Sequence, residues 1–255
     1  MKAIILAAGR GSRLKHHTSG QPKCLVELAG KPLLFWQLSA LAEAGADDIA
    51  VVCGYQSHLI KELADKAPAP FVPIENKRWA ETNMLASLWC ASKWANGDDC
   101  LISYSDIVYP TRHVCALISA IQAVALTYDR NWEELWSLRN NGKPLNDAET
   151  FLAEDGLLLE IGQKPESLEQ VHGQYMGLLK LSPNGWQICR DNIAELGPAA
   201  DKTDMTTFLR LLLSNGVSIG AVPVDGAWCE VDSDNDLDLY EKALASNSFS
   251  HDWRS

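Results

Sequence analysis

Two features of this chain are spaced for chemistry on phosphate. The first is a basic, glycine-rich loop. An apolar run from Ala3 to Ala8 stops at Gly9, and Arg10, Gly11, Ser12, Arg13 and Lys15 follow, with Lys23 a little further on. Glycine backbone N–H groups can converge on an anion, and the surrounding cations neutralise its charge. The second is Asp106, which closes the apolar stretch "CLISYSD". A carboxylate at the carboxyl end of a buried strand lies where open α/β sheets bind ligands, and Mg²⁺ takes a few carboxylates together with phosphate oxygens. Spacing excludes two common phosphate loops. "GRGSRLKH" does not fit the P-loop G-x-x-x-x-G-K-S/T, and the third glycine of a dinucleotide fingerprint is replaced by Leu14. Several cations suit a triphosphate attacked at its α-phosphorus better than a pyrophosphate resting on a helix N-terminus.

The elements that must hold these residues alternate. "KAIILAA", "DDIAVVCGY", a short strand in "APAPFVPIEN", "DDCLISYSD" and "AVALTYD" read as strands. "GKPLLFWQLSALAEAG", with Pro32 in its first turn, "QSHLIKELADK", "TNMLASLWCASKWA" and "TRHVCALISAIQ" read as the intervening helices. Such alternation predicts an α/β fold with a mostly parallel sheet flanked by helices. After Asp129 the pattern changes: "FLAEDGLLLEIG" predicts a hairpin turning at Asp155-Gly156, "GQYMGLLKL" a strand, and Ser182-Pro183 the start of a helix. "VSIGAVPVDGAWCEVD" reads as further strand, and "SDNDLDLYEKALA" as a closing helix capped by Ser233. We expect one domain, 1–255, with a nucleotide-binding half over 1–129 and an acceptor-binding half with the closing helix over 130–255.

Composition narrows the partners. The 255 residues are 47% apolar and 22% charged, with a net charge of −11, which argues against broad nucleic-acid binding but not against a nucleotide held by local cations. The seven cysteines are odd in number and contain no C-x-x-C pair, so reduced thiols are expected. The apolar N-terminal run is too short for a signal peptide, and no stretch approaches a membrane span. A cytoplasmic location is expected, without nucleic acid or membrane as partner and with a homodimer as one possible assembly.

"LAAGRGSRL" followed by "QPKCLVELAGKPLL" resembles the signature of nucleotidyltransferases with the Rossmann-like GT-A fold, L-A-A-G-x-G-S/T-R-L/M and then P-K-x-L with G-K-P-L. The resemblance implies a mixed, mostly parallel sheet with a small antiparallel subregion, Mg²⁺ as cofactor, and metal aspartates at Asp106 and, in "WCEVDSDNDLDLYEKAL", at Asp232, with Asp234 as a substitute. It implies catalytic roles for Arg13, on the β- and γ-phosphates, and Lys23, against the α-phosphate or incoming oxyanion. "VPIENKRWAETNMLASLW", "LISYSDIVYP" and "YDRNWEELWSLR" narrow the likeness to the phosphocholine and phosphonate (2-aminoethylphosphonate-type) cytidylyltransferases. That group implies transfer of CMP from CTP to a small phosphate or phosphonate acceptor. The implied nucleotide contacts are Leu6, Ala7, Ala8, Gly9, Gly11, Ser12, Arg13, Lys23, Asn83, Ser87 and Ser105.

An ammonium-bearing acceptor would be held by aromatic faces and a carboxylate. Of nine tryptophans, Trp132 and Trp136 follow the strand ending at Asp129, Trp228 and Glu230 precede Asp232, and Tyr175 follows the hairpin. These five, with Lys164 by its likeness to the lysine of an E-K-P segment, are the expected acceptor contacts. Trp132 and Trp136, four apart, also fit the apolar stripe of a helix, and the acids of "NDAETF" suit a metal, a hydroxyl or an amine equally. The alternatives are a sugar-1-phosphate nucleotidyltransferase using another NTP, a molybdopterin guanylyltransferase, and an inactive regulatory domain on the same fold.

Overall fold

The computed structural model describes residues 1–11, 13–14, 18, 20–95, 97–246 and 249–254. Nine strands form the main sheet: β1 (Lys2–Ala7), β2 (Asp48–Cys53), β3 (Val72–Glu75), β4 (Cys100–Tyr104), β5 (Val124–Asp129), β6 (Phe151–Glu154), β7 (Leu157–Ile161), β8 (Gln174–Leu181) and β9 (Ile219–Val224), in the order β3-β2-β1-β4-β8-β5-β9-β7-β6. The first four pair in parallel, with Ile4 opposite Ala50 on one side and Ile102 on the other. Their sequences are apolar throughout because both faces are covered. Ala3, Ile5 and Ala7 enter one core and Ile4, Leu6 and Ala8 the other, the period-two alternation of a strand.

The antiparallel element lies at the centre of the sheet. Strand β8 runs between β4 and β5, antiparallel to both, and its register shifts between Tyr175 and Leu179. Gly177 sits in that irregularity at φ +86°, and a Cβ there would lie 2.5 Å from the Tyr104 ring. The strand therefore yields its surface to Tyr104. The β6–β7 hairpin turns through Asp155 and Gly156, both at positive φ, and joins the edge at Leu157 opposite Gly220.

The helices are α1 (Leu33–Glu43), α2 (Ser57–Glu62), α3 (Met84–Cys90), α4 (Ser92–Ala95), α5 (Thr111–Ile118), α6 (Trp132–Arg139), α7 (Pro183–Leu196), α8 (Met205–Ser214) and α9 (Asp234–Leu244). Pro32 caps α1 rather than entering its first turn, because Lys31-Pro32 pairs with Glu27-Leu28 in a small hairpin. The helix expected over "TNMLASLWCASKWA" breaks at Ala91 into α3 and α4. The stretch after β9 is not one long strand. It leaves the sheet at Val224 and returns as Cys229–Glu230, which pairs antiparallel with Ile107–Val108 just beyond Asp106. Val231 N–H then donates to Asp106 O at 2.8 Å. This pairing carries Glu230 and Asp232 across the chain to Asp106. None of the described helices is long and apolar enough to cross a membrane.

Candidate active site

Strand β1 delivers the chain to the glycine loop at the carboxyl edge of the sheet. Gly11 adopts φ +70°, and a Cβ there would lie 2.7 Å from Cβ of Lys23. The loop therefore closes directly on Lys23, which sits in a short 3₁₀ turn, Lys23–Leu25. The Lys23 ammonium is buried between two carboxylates, 2.8 Å from Asp106 Oδ2 and 2.5 Å from Asp232 Oδ1. Burial alone would lower its pKa, but Asp106 and Asp232 outweigh burial and raise it, so Lys23 is a fixed cation. Arg13 reaches the same carboxylate, Nη2 to Asp232 Oδ1 at 3.0 Å, while its side chain stays 70% exposed.

Asp106, Glu230 and Asp232 offer carboxylate oxygens that all lie within 4.8 Å of one another. Behind them is an arginine that sequence reasoning did not single out. Arg139 ends α6, is almost fully buried, and lies 2.9 Å from Glu230 Oε2, 3.2 Å from Asp236 Oδ1 and 3.6 Å from Asp232 Oδ2. Its guanidinium also sits over the Trp136 ring, 5.2 Å from the centroid. Asp236 accepts from the Asp232 and Ser233 N–H groups as part of the α9 capping box, so Arg139 and the helix start hold Asp232 from two sides. Burial would raise the Asp232 pKa, but Lys23, Arg13 and Arg139 bring it below the usual range. Glu230 moves the other way, to about 7, through burial and then the Asp232 charge, against Arg139.

This oxygen set fits a hard divalent cation. Asp106 Oδ1 is buried without a hydrogen-bond partner among the described residues, an unused anionic ligand at the edge of the three acids.

Two cavities meet here. One, of about 280 Å³, is lined by Gly9, Gly11, Arg13, Lys23, Asp106 and Asp232, by Trp79, Thr82, Asn83, Met84 and Ser87, and by Leu6, Ala8, Tyr104 and Ser105. The other, of about 210 Å³, is walled by Trp136, Phe151, Ile161 and Tyr175 and by the carboxylates Asp147, Glu149, Glu230 and Asp232, with Thr150, Gln174 and Thr206. Tyr104 and Asp232 belong to both. The Tyr104 and Tyr175 rings meet edge to face at 5.7 Å, and burial raises both phenol pKa values, which keeps them protonated. No lysine or arginine lines the second cavity among the described residues. Glu149 is held above the usual carboxylate range, first by desolvation and then by Asp204 and Asp147.

Most residues singled out in the sequence gather on these cavities, but several do not. Ala7 faces the core beside the loop. Ser12 lies outside the described residues. Trp132 is buried against Trp136, at 6.3 Å between ring centroids, and lines neither cavity; the helical-stripe reading of its spacing describes it. Trp228 is buried too, its indole N–H donates to Asp129 Oδ2 at 2.9 Å, and it lines neither cavity. Lys164 donates to Leu145 O at 2.5 Å and Asn146 O at 2.7 Å, so it ties down the Pro144–Asn146 turn instead of facing an acceptor. Trp79, which is not among the expected nucleotide contacts, lines the first cavity. Tyr104 was overlooked although it stands two residues before Asp106 at a strand end, which is signal enough to find it. Arg139 carries no local signal, since its partners come from 91 to 97 residues away.

The sheet order, with the glycine loop at its carboxyl edge, is that of the nucleotidyltransferases. Residues 3–173 match the MobA-like NTP transferase domain family, and the chain belongs to that family. It is 36% identical over 251 residues to CTP:phosphoglutamine cytidylyltransferase of Campylobacter jejuni subsp. jejuni serotype O:2, covering 94% of this chain and 98% of the relative. Among solved structures, the inositol-1-phosphate CTP transferase from T. maritima shares the fold with a TM-score of 0.76 and 18% identity, over 94% of this chain and 95% of that one. The CTP:phosphocholine cytidylyltransferase from Streptococcus pneumoniae does so with a TM-score of 0.71 and 21% identity, over 95% and 98%.

Proposed function

We propose that this protein transfers CMP from CTP to a small acceptor that carries a phosphoryl or phosphonyl oxyanion at one end and a positively charged nitrogen at the other. The observation that supports this reading is the junction of the two cavities at Tyr104 and Asp232, one basic at its loop end and the other lined by acids and aromatic rings. Carboxylates beside aromatic faces favour an ammonium. Phosphoglutamine and phosphocholine, the acceptors named for two of the similar proteins, both combine a charged nitrogen with a phosphorus oxyanion.

In this reading the triphosphate lies along the glycine loop. Backbone N–H groups and Arg13 neutralise its outer phosphates, and Lys23 stabilises the charge that builds on the α-phosphoryl oxygens. An acceptor oxygen forms the new bond to the α-phosphorus, the bond from that phosphorus to the bridging oxygen breaks, and pyrophosphate departs with the electron pair. The acceptor is already an oxyanion near pH 7, so no general base is required. The protein contributes position and charge. Asp106 and Asp232, with Glu230, would hold Mg²⁺, which supplies further neutralisation of the phosphates. Glu149 and Asp147, with the Trp136 and Tyr175 rings, would hold the acceptor's nitrogen.

Phosphorus NMR on a mixture of protein, CTP, Mg²⁺ and phosphocholine, phosphoglutamine or 2-aminoethylphosphonate tests this. The expected result is free pyrophosphate together with two coupled resonances of a new P–O–P linkage. CTP consumption with an acceptor that lacks a charged nitrogen, and none with these three, would sink the reading.

A further inference from the structure

The far end of the nucleotide cavity carries a hydrogen-bond relay, and we propose that it selects cytosine over uracil, with Asn76 as the positioning residue. This rests on the reading of that cavity as the CTP site.

Asn76 follows β3, is buried, and is anchored by its own N–H to Cys53 O at 2.8 Å. The Arg78 backbone N–H donates to Asn76 Oδ1 at 2.9 Å. A backbone N–H cannot accept, so this bond fixes which way the amide faces. The NH₂ group then donates to Thr82 Oγ1 at 3.0 Å and to Ser87 Oγ at 3.1 Å. Thr82 passes its own proton to Arg78 O at 2.9 Å, so that hydroxyl has no proton left for the cavity. Ser87 differs: its oxygen accepts from Asn76, and it donates to no group among the described residues. Ser87 lines the cavity with Thr82, Asn83 and Trp79, and the strand order β3-β2-β1-β4 sets its partner Asn76, just after β3, three strands along the sheet edge from Asp106, just after β4. With the phosphates at the basic end, this is where the base lies.

Asn76 therefore occupies one lone pair of the Ser87 oxygen and leaves its proton for the cavity. A pyrimidine meeting that proton through its N3 distinguishes itself. Cytosine N3 is an acceptor and pairs with the hydroxyl, whereas uracil N3 carries a hydrogen that can meet only the one remaining lone pair and leaves the Ser87 proton without an acceptor. Asn76 touches neither base nor phosphate; it acts through Ser87.

The test is titration calorimetry of the full chain with CTP and with UTP, in Mg²⁺ and without acceptor, for the unmodified protein, Asn76→Asp and Ser87→Ala. In Asn76→Asp the carboxylate still accepts from Arg78 N–H but now also accepts from the Ser87 hydroxyl, turning the Ser87 lone pairs toward the base. We expect the CTP-to-UTP affinity ratio to fall about 10- to 100-fold, the scale of one misdirected buried hydrogen bond. A purely structural role for Asn76 would weaken both nucleotides alike, and an unchanged ratio in folded Asn76→Asp overturns the inference. Should that variant not fold, Ser87→Ala decides. Loss of CTP affinity with UTP affinity kept supports the relay, and an unchanged ratio overturns it. An unmodified protein without preference for CTP would sink the cytidylyl reading and this inference together, whereas preference in the unmodified protein with no change in the variants sinks the inference alone.

Discussion

Replacing Lys23 by methionine tests how the site is held together before any substrate arrives. The methionine keeps most of the volume and removes the charge. Lys23 is one-tenth exposed and lies 2.8 Å from Asp106 and 2.5 Å from Asp232, so the variant leaves two carboxylates facing one another without their shared cation. Removing one partner of a buried pair costs about 3–5 kcal/mol. Arg13 and Arg139 remain near Asp232, so the lower end applies here. At about 2–4 °C per kcal/mol for a chain of this length, ~3 kcal/mol lowers the melting temperature by ~6–12 °C. A divalent cation taken up by the same acids would restore the missing charge. Added Mg²⁺ is therefore expected to raise the melting temperature of Lys23→Met by more than it raises that of the unmodified protein. Turnover should fall by about 10²–10³, the usual consequence of removing a preorganised charge from the transition state. Differential scanning calorimetry with and without Mg²⁺ reads the first two effects. A Mg²⁺ response in the variant no larger than in the unmodified protein, or an unchanged melting temperature without the ion, would refute the reasoning.

Asp106→Asn removes the acid whose second oxygen has no partner among the described residues; Mg²⁺-dependent turnover is expected to disappear while CTP binding measured without metal survives, and unchanged turnover would remove Asp106 from the site. Glu149→Gln should raise the acceptor KM about ten-fold and leave the CTP KM alone, the scale of one charge-assisted hydrogen bond; equal KM values for the acceptor would dissociate Glu149 from its recognition. His113, buried on α5, has its pKa lowered to about 4, first by burial and then by Arg112. The unfolded chain binds that proton near pH 6.5, so stability is complete above about pH 6.5 and falls by about 1.4 kcal/mol per unit toward pH 4, about 3 kcal/mol in all. Denaturant unfolding of His113→Asn against pH should show that slope flattened, and an unaltered slope would assign the acid sensitivity elsewhere.

Physical reasons separate what was legible in the sequence from what was not. Strand β1 and its loop could be read because a continuous apolar run ends abruptly in glycine and arginine, and Asp106 because it closes a buried strand. The direction and position of β8 could not: an apolar run marks a buried strand but not its neighbours, and only Gly177 under Tyr104 hints at the irregularity. Tryptophan type alone did not separate the roles. Trp136 and Trp79 line cavities, while Trp132 and Trp228 are buried in the core, and the difference is set by helix facing and by the Asp129 hydrogen bond. Lys164 resembled a phosphate contact until its ammonium was found on the carbonyls of Leu145 and Asn146. The Arg139 cluster depends on a strand pairing between Cys229–Glu230 and Ile107–Val108 that no local pattern announces.

The central claim, cytidylyl transfer to a phosphorus oxyanion that carries a charged nitrogen, is tested most directly by pyrophosphate release. Each of CTP, UTP, GTP and dTTP is offered with each of phosphocholine, phosphoglutamine, 2-aminoethylphosphonate, inositol 1-phosphate and glucose 1-phosphate in the presence of Mg²⁺. Release is expected with CTP and at least one of the nitrogen-bearing acceptors, at a kcat/KM well above that of any sugar or polyol phosphate. Release confined to a sugar or polyol phosphate, or supported equally by another nucleotide, would contradict the claim.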